Sequence, residues 1–395
     1  MNQDLKTVSG FLFSGISCGI KENKPDLALI YSLYPARAAA VFTTNLFPAA
    51  PVCLSKKAIK SGKPVRSIIV NSGNANACTG KKGLEDAHRM QSATAEKLGI
   101  KAGEVLVAST GIIGRPLPIK RIEENLDALT DRLSKEKKPA AEAILTTDTR
   151  TKEYSLELDF KGKPARLAGF AKGSGMIRPN MATMLAFLVT DADIPRNQLD
   201  NILDTAVERS FNRISVDNDM STNDSVFLLA NGASGVAIRK EEELKMFSDA
   251  LNKLCLHLAK ELIRDAEGGT KVIKIMVEGA KTEAEAGKVA RQVAGSLLVK
   301  TAAFGQDPNW GRVIAAVGSA GAAIDPDRVS VSIMGTTLVS NGEAVKGTDL
   351  KNLSKRMEAG EIPIQIDLNQ GSGRFIAYSS DISCEYVKIN AEYTT

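Results

Sequence analysis

The 395 residues carry a net charge of only +5, with basic residues scattered rather than clustered, which argues against a nucleic-acid-binding surface. A hydrophobic share of 43% and a charged share of 25% are ordinary for a soluble α/β unit or two or three domains. No apolar run approaches the ~18 residues needed to cross a bilayer.

Five cysteines stand singly, at Cys18, Cys53, Cys78, Cys255 and Cys384, without metal or redox spacing. An odd, dispersed set points to a reducing compartment, hence the cytoplasm. The two histidines, His88 and His257, fall on predicted helices without an HExxH motif. Both read as surface or packing residues, so an acyl-transfer or hydrolytic site must find its base elsewhere.

Residues 1–60 read as short strands and turns, with strands at 11–13, 27–30 and 39–42. The β-branched run 66–70 is a strand that opens into Asn71-Ser72-Gly73-Asn74-Ala75-Asn76, a loop rich in side-chain amides. Such a loop either holds a ligand or satisfies its own backbone through Asx turns, and both readings stay open. A helix follows over 82–98, stopped by Gly99. The strand at 104–108 runs into Ser109-Thr110-Gly111, read as a tight turn. Glycine there permits close backbone approach and N–H groups aimed at a developing oxyanion, a weak signal by itself. Ile119, Ile122, Leu126, Leu129 and Leu133 repeat at three and four, predicting one amphipathic helix. Pro139 opens a short helix ending near Thr146-Thr147-Asp148-Thr149. Alternation over 153–160 predicts a half-buried strand, turning at 161–164 into a second that leads to Lys172.

The stretch from Lys172 to Asp191 joins two unlike halves. Gly173, Gly175, Pro179 and Asn180 make a loop; residues 183–189 are almost wholly apolar and short enough for a buried strand. One hydroxyl, Thr183, stands at the junction. It is either a nucleophile delivered to a strand mouth or the first residue of a core strand.

Beyond it, Pro195 begins a helix with Leu199, Ile202, Leu203 and Ala206 on its apolar face. Asp217, Asp219 and Asp224 lie close together but miss the EF-hand spacing, so no metal is assigned. A strand at 225–230 precedes a long helix through Leu244 to Leu262, stopped by Gly268-Gly269. Glu267 at its end is badly placed for the helix dipole, and suits a substrate ammonium or plain surface. Further predictions are strands at 272–277, 329–334, 364–368 and 375–378, a helix over 282–298, and a hairpin turn at 340–343.

Lys172-Gly173-Ser174-Gly175-Met176, Pro179-Asn180-Met181-Ala182-Thr183-Met184-Leu185, Asp307-Pro308-Asn309-Trp310-Gly311-Arg312 and the tail from Ile389 to Thr395 together resemble the glutamate N-acetyltransferase (ornithine acetyltransferase) family of arginine biosynthesis. The resemblance extends from Gly19 to Thr395. It implies layered mixed sheets with flanking helices, of the self-cleaving N-terminal-nucleophile type. The chain would cut itself at Ala182–Thr183, giving pieces 1–182 and 183–395 that stay one folded unit. Thr183 would be the nucleophile, with its freed α-amine, of reference pKa roughly 7.7–8.0, as base. The resemblance makes Thr110 and Gly111 the oxyanion hole, and Thr149, Lys172, Thr183, Glu267, Asn390 and Thr395 the substrate contacts. The implied reaction moves acetyl from N-acetyl-L-ornithine to L-glutamate through acetyl-threonine, without cofactor or metal; use of acetyl-CoA as a co-substrate stays open. A heterotetramer of two alpha and two beta chains is implied. One departure is Tyr378, where the family has tryptophan.

Three competing readings stand beside this one. A self-cleaving aminopeptidase or amidohydrolase would use the same nucleophile with water as acceptor. Nucleotide binding through Gly173-Ser174-Gly175 lacks the Gly-Lys-Ser/Thr ending of a phosphate loop. A non-catalytic binding protein would keep its chain whole.

Overall fold

The computed structural model describes residues 7–178 and 184–392, so Ala182, Thr183 and Thr395 lie outside the described residues. Eight strands form the larger sheet: β1 (Phe11–Ile16), β2 (Leu27–Phe42), β3 (Val65–Asn74), β4 (Val105–Ile112), β5 (Lys152–Phe160), β6 (Lys163–Lys172), β7 (Leu185–Thr190) and, after the short β8 (Ile214–Ser215), β9 (Ser225–Ala230). Their order is β4-β3-β2-β9-β7-β6-β5, with β1 also paired to β2. Strand β2 belongs to two layers. Its first half pairs with β1 and β3, and its second half with β9. The predicted strands at 27–30 and 39–42 are therefore one bent strand. Its register slips between Tyr31 and Ala36, around Pro35, which cannot donate to the ladder.

The two layers share an apolar core. Phe13, Ile30, Ile68, Val70 and Leu106 face Phe170, Phe187, Phe227 and Leu229 across it. Phe187 stacks on Phe227 at 5.7 Å, and Phe13 meets Phe170 edge-on. Helices cover both outer faces. Gly80–Leu98, Ile119–Glu124 and Leu126–Asp131 lie over one; Arg196–Glu208 and Glu241–Arg264 lie over the other. Burial on both sides explains why β7 and β9, apart from Thr190 and Ser225 at their ends, are apolar rather than alternating.

The second sheet contains β10 (Val272–Ala280), β11 (Ser330–Ile333), β12 (Thr336–Ser340), β13 (Glu343–Ala344), β14 (Glu361–Asp367) and β15 (Gly373–Ser380), in the order β13-β12-β11-β14-β10-β15-β8. Ile362, Ile364 and Ile366 of β14 alternate inward, against helices Glu283–Gly295, Leu297–Phe304 and Trp310–Gly318. Trp310 packs on this core. Tyr378 is buried under the Lys260 ammonium, 4.8 Å from its ring centre.

Three further sequence expectations need correction. The helix expected through 119–133 is two, broken at Asn125, whose amide donates to the Arg121 carbonyl at 2.8 Å. The helix expected over 282–298 ends at Gly295, because the Ser296 hydroxyl caps the next helix by accepting from Val299 N–H. Strand β4 continues to Ile112, so Thr110 and Gly111 sit on a strand end rather than in a turn. Among the described residues no helix is long and apolar enough to cross a membrane.

Candidate active site

Successive residues of a strand point to opposite faces, so every second residue shares one. On β4, Leu106 and Ala108 enter the interlayer core, and Thr110 continues the series. On β6, Ala168 and Phe170 do the same, and Lys172 follows. At this end of the layers the apolar filling gives way to polar groups that meet across the gap. Lys172 Nζ donates to Thr146 Oγ1 at 2.8 Å and to Thr110 Oγ1 at 3.3 Å. An ammonium has only donors, so Thr110 accepts here and keeps its own O–H proton for another partner.

Gly111 makes the strand contact possible. Its φ is +131°, and a Cβ there would lie 2.3 Å from the Gly73 carbonyl carbon on β3. Only glycine fits this conformation and this approach.

A buried charge network supports Lys172. Asp148 lies 3.9 Å from its ammonium, accepts from Lys152 at 2.6 Å, and accepts Gly173 N–H at 2.6 Å. Burial would raise the Asp148 carboxyl, but Lys172 and Lys152 override that and hold it at about 2. Burial pushes the Lys172 ammonium below its usual value, with Asp148 opposing. Lys152 also pairs with Asp265, the residue that ends the Glu241–Arg264 helix.

Glu267 lies on the opposite wall. Its N–H donates to Ser174 carbonyl at 2.9 Å, and a Cβ on Gly175 would be 2.4 Å from its carboxylate. Asn390 donates to Glu267 Oε2 at 2.9 Å. Asn390 and Tyr386 come from helix Cys384–Glu392, which has no buried residue. The Tyr386 hydroxyl donates to Asp217 at 3.3 Å; burial and the Asp217 charge push its phenol up, so it keeps its proton.

These groups enclose one cavity of about 610 Å³. Of the residues singled out in the sequence, Thr110, Gly111, Lys172, Glu267 and Asn390 line it. Thr149 is placed elsewhere: it is exposed, and its N–H and hydroxyl both bond Asp265. The stretch expected as an amide loop is strand as far as Asn74, because β3 runs on, and its side-chain amides bond backbone carbonyls of this stretch and of its neighbours. Asn71 donates to Asn74 carbonyl, Asn74 to the carbonyls of Arg115 and Pro116, and Asn76 to Gly83 carbonyl. Sequence reasoning missed Thr146 and Thr147 as lining residues and Asp148 as their support. A Thr-Thr-Asp run behind a short helix reads as a cap, and of its two charged partners Lys152 is four residues on while Lys172 is distant in the chain. His257 stacks on Tyr154 at 4.1 Å and His88 is exposed on its helix, as packing and surface residues.

The ArgJ family model matches residues 12–395. The arginine biosynthesis bifunctional protein ArgJ of Shouchella clausii is 45% identical over 391 residues, 98% of this chain and 95% of its own. The glutamate N-acetyltransferase of Methanocaldococcus jannaschii is 47% identical over 388 residues, 95% of this chain and 96% of its own. The crystal structure of the Bacillus halodurans arginine biosynthesis bifunctional protein ArgJ superposes with a TM-score of 0.51 at 37% identity, over 52% of this chain and 98% of that one. The chain therefore belongs to the ArgJ family, as an acetyltransferase of arginine biosynthesis.

Proposed function

We propose that the enzyme moves an acetyl group from N-acetyl-L-ornithine to L-glutamate through an acetyl-threonine intermediate. The chain first cuts itself at Ala182–Thr183. The freed Thr183 amine then serves as base for its own hydroxyl. Thr183 Oγ attacks the acetyl carbonyl. The oxyanion is held by the Thr110 hydroxyl and Gly111 N–H. The ornithine amine leaves with the proton taken from Thr183. The glutamate amine then attacks the acetyl ester and restores the free threonine. Glu267, steadied by Asn390, receives a substrate ammonium, and Lys172 a substrate carboxylate; Thr395 completes the substrate contacts.

The observation that supports this reading best is the Lys172–Thr110 hydrogen bond at the cavity wall. It leaves the Thr110 proton available to an oxyanion, beside a glycine whose replacement the neighbouring strand forbids. The Bacillus halodurans chain, covered almost fully by about half of this one, is also the length a divided chain would have.

Acetyl-CoA as a second donor belongs to the proposal, as do a cytoplasmic location and a heterotetramer of two alpha and two beta chains. The reaction asks for no cofactor or metal. Intact mass spectrometry after brief exposure to N-acetylornithine tests the core of it. One added acetyl on the fragment that begins at Thr183 is expected, and a Thr183→Ala chain should stay whole and inactive. Acetyl transfer by that variant would overturn the mechanism. Acetyl-CoA with glutamate, in the absence of acetylornithine, decides the second donor.

A further inference from the structure

The loop between β8 and β9 holds the chain on both sides of residues 178–183. Upstream, Asp217 accepts Met176 N–H on one oxygen at 2.6 Å and Ile177 N–H on the other at 2.8 Å. Ile177 carbonyl in turn accepts Val216 N–H at 2.8 Å and the Ser215 hydroxyl at 3.3 Å. Downstream, Asp224 Oδ1 accepts Met184 N–H at 2.9 Å, and Met184 carbonyl accepts Ser225 N–H at 3.2 Å. Ile177 and Met184 are thus each held through both backbone groups. Met176 is fixed with φ +55°, a left-handed conformation that a methionine seldom adopts unaided.

The loop itself is fastened to the other layer. Asn223 donates to the carbonyls of Ala75 and Ser109 at 2.7 and 2.8 Å, Thr43 to Ser221 carbonyl at 2.8 Å, and Asn45 to Met220 carbonyl at 3.0 Å. Asp224 is 1% exposed.

We infer that this loop is a two-ended clamp, in which Asp217 and Asp224 are positioning residues for the cut at Ala182–Thr183. The inference rests on the cleavage reading above and adds to it what brings hydroxyl and carbonyl together. An intramolecular attack gains its rate from geometry fixed in advance, and a displacement of about 1 Å can cost ~10²-fold. Burial favours the neutral form of Asp224. Asparagine, with a carbonyl oxygen in the same place, is therefore its near copy, whereas leucine fills the space and accepts nothing.

Cell-free synthesis with timed quenching and denaturing gels tests the clamp on the full chain, with thermal melts to verify folding. Wild type should divide, Asp224→Leu should divide ~10²-fold more slowly while folded, and Asp224→Asn should recover most of the rate. Cleavage of Asp224→Leu at the wild-type rate overturns the clamp, as does an Asp224→Asn chain as slow as the leucine variant. If Asp224→Leu does not fold, Asp217→Asn decides, since it removes one of the two acceptor oxygens holding Met176 and Ile177. Slowed division supports the clamp, and an unchanged rate sinks it. A wild-type chain that stays whole refutes the cleavage reading itself, and the clamp with it; that failure shows in the unmutated protein alone.

Discussion

Thr110 sits where a strand's apolar series ends, and its hydroxyl is already accepting a hydrogen bond from Lys172. Thr110→Val keeps the β-branched shape and removes the oxyanion donor, so the rate of acetyl transfer should fall ~10²–10³-fold in kcat. Steady-state assay of a variant with an unchanged melt checks it. Asp148→Asn acts on stability instead. It leaves buried Lys172 without this carboxylate and Lys152 with Asp265 alone, at a cost of about 3–5 kcal/mol near neutral pH. The folded-state carboxyl is held low, so its stabilisation is present above the unfolded value and lost as pH falls through about 2. Chemical denaturation from pH 7 downward should show the gap between wild type and variant closing over that acid window. Neither residue's partners were readable from the chain. The glycine at the strand end gave only a weak signal for Thr110 and Gly111, which the resemblance strengthened, and the wall against Gly111 comes from Gly73 on β3.

Elements were legible where periodicity is long and undisturbed. The Glu241–Arg264 helix and the buried β9 match their patterns because each has one clear apolar arrangement. The pattern failed where a side chain competes with the backbone. Asn125 and Ser296 leave the apolar spacing intact, yet each breaks a helix through its own hydrogen bond. Strand β2 failed in the opposite way: one strand with a register slip between Tyr31 and Ala36 reads as two short apolar runs. The helix Cys384–Glu392 allows an element-scale test, since it buries no residue but delivers Tyr386 and Asn390 to the cavity. A chain ending at Ser383 should melt close to wild type. It should also show a substrate KM raised ~10-fold or more, the size expected for losing a hydrogen bond to a charged group. A calorimetric scan beside a substrate titration separates the two effects.

At the scale of the molecule, the resemblance implied layered mixed sheets with flanking helices, but the residues themselves did not give the order of strands. Parallel partners such as β3 with β4 and β7 with β9 are far apart in sequence and carry no local signal. That order has a consequence for a chain severed before β7. Strands β9 and β7 would belong to the second fragment, yet they lie between β2 and β6 of the first. The halves are interleaved like the fingers of two hands, and parting them means breaking ladders on both sides. An affinity tag on either terminus should retrieve both pieces in equal amounts under native conditions, and only strong denaturant should separate them. Once drawn apart, neither half holds all the strands of the layer that runs from β2 through β9 and β7 to β6 and β5, so activity should return only when the two are refolded together.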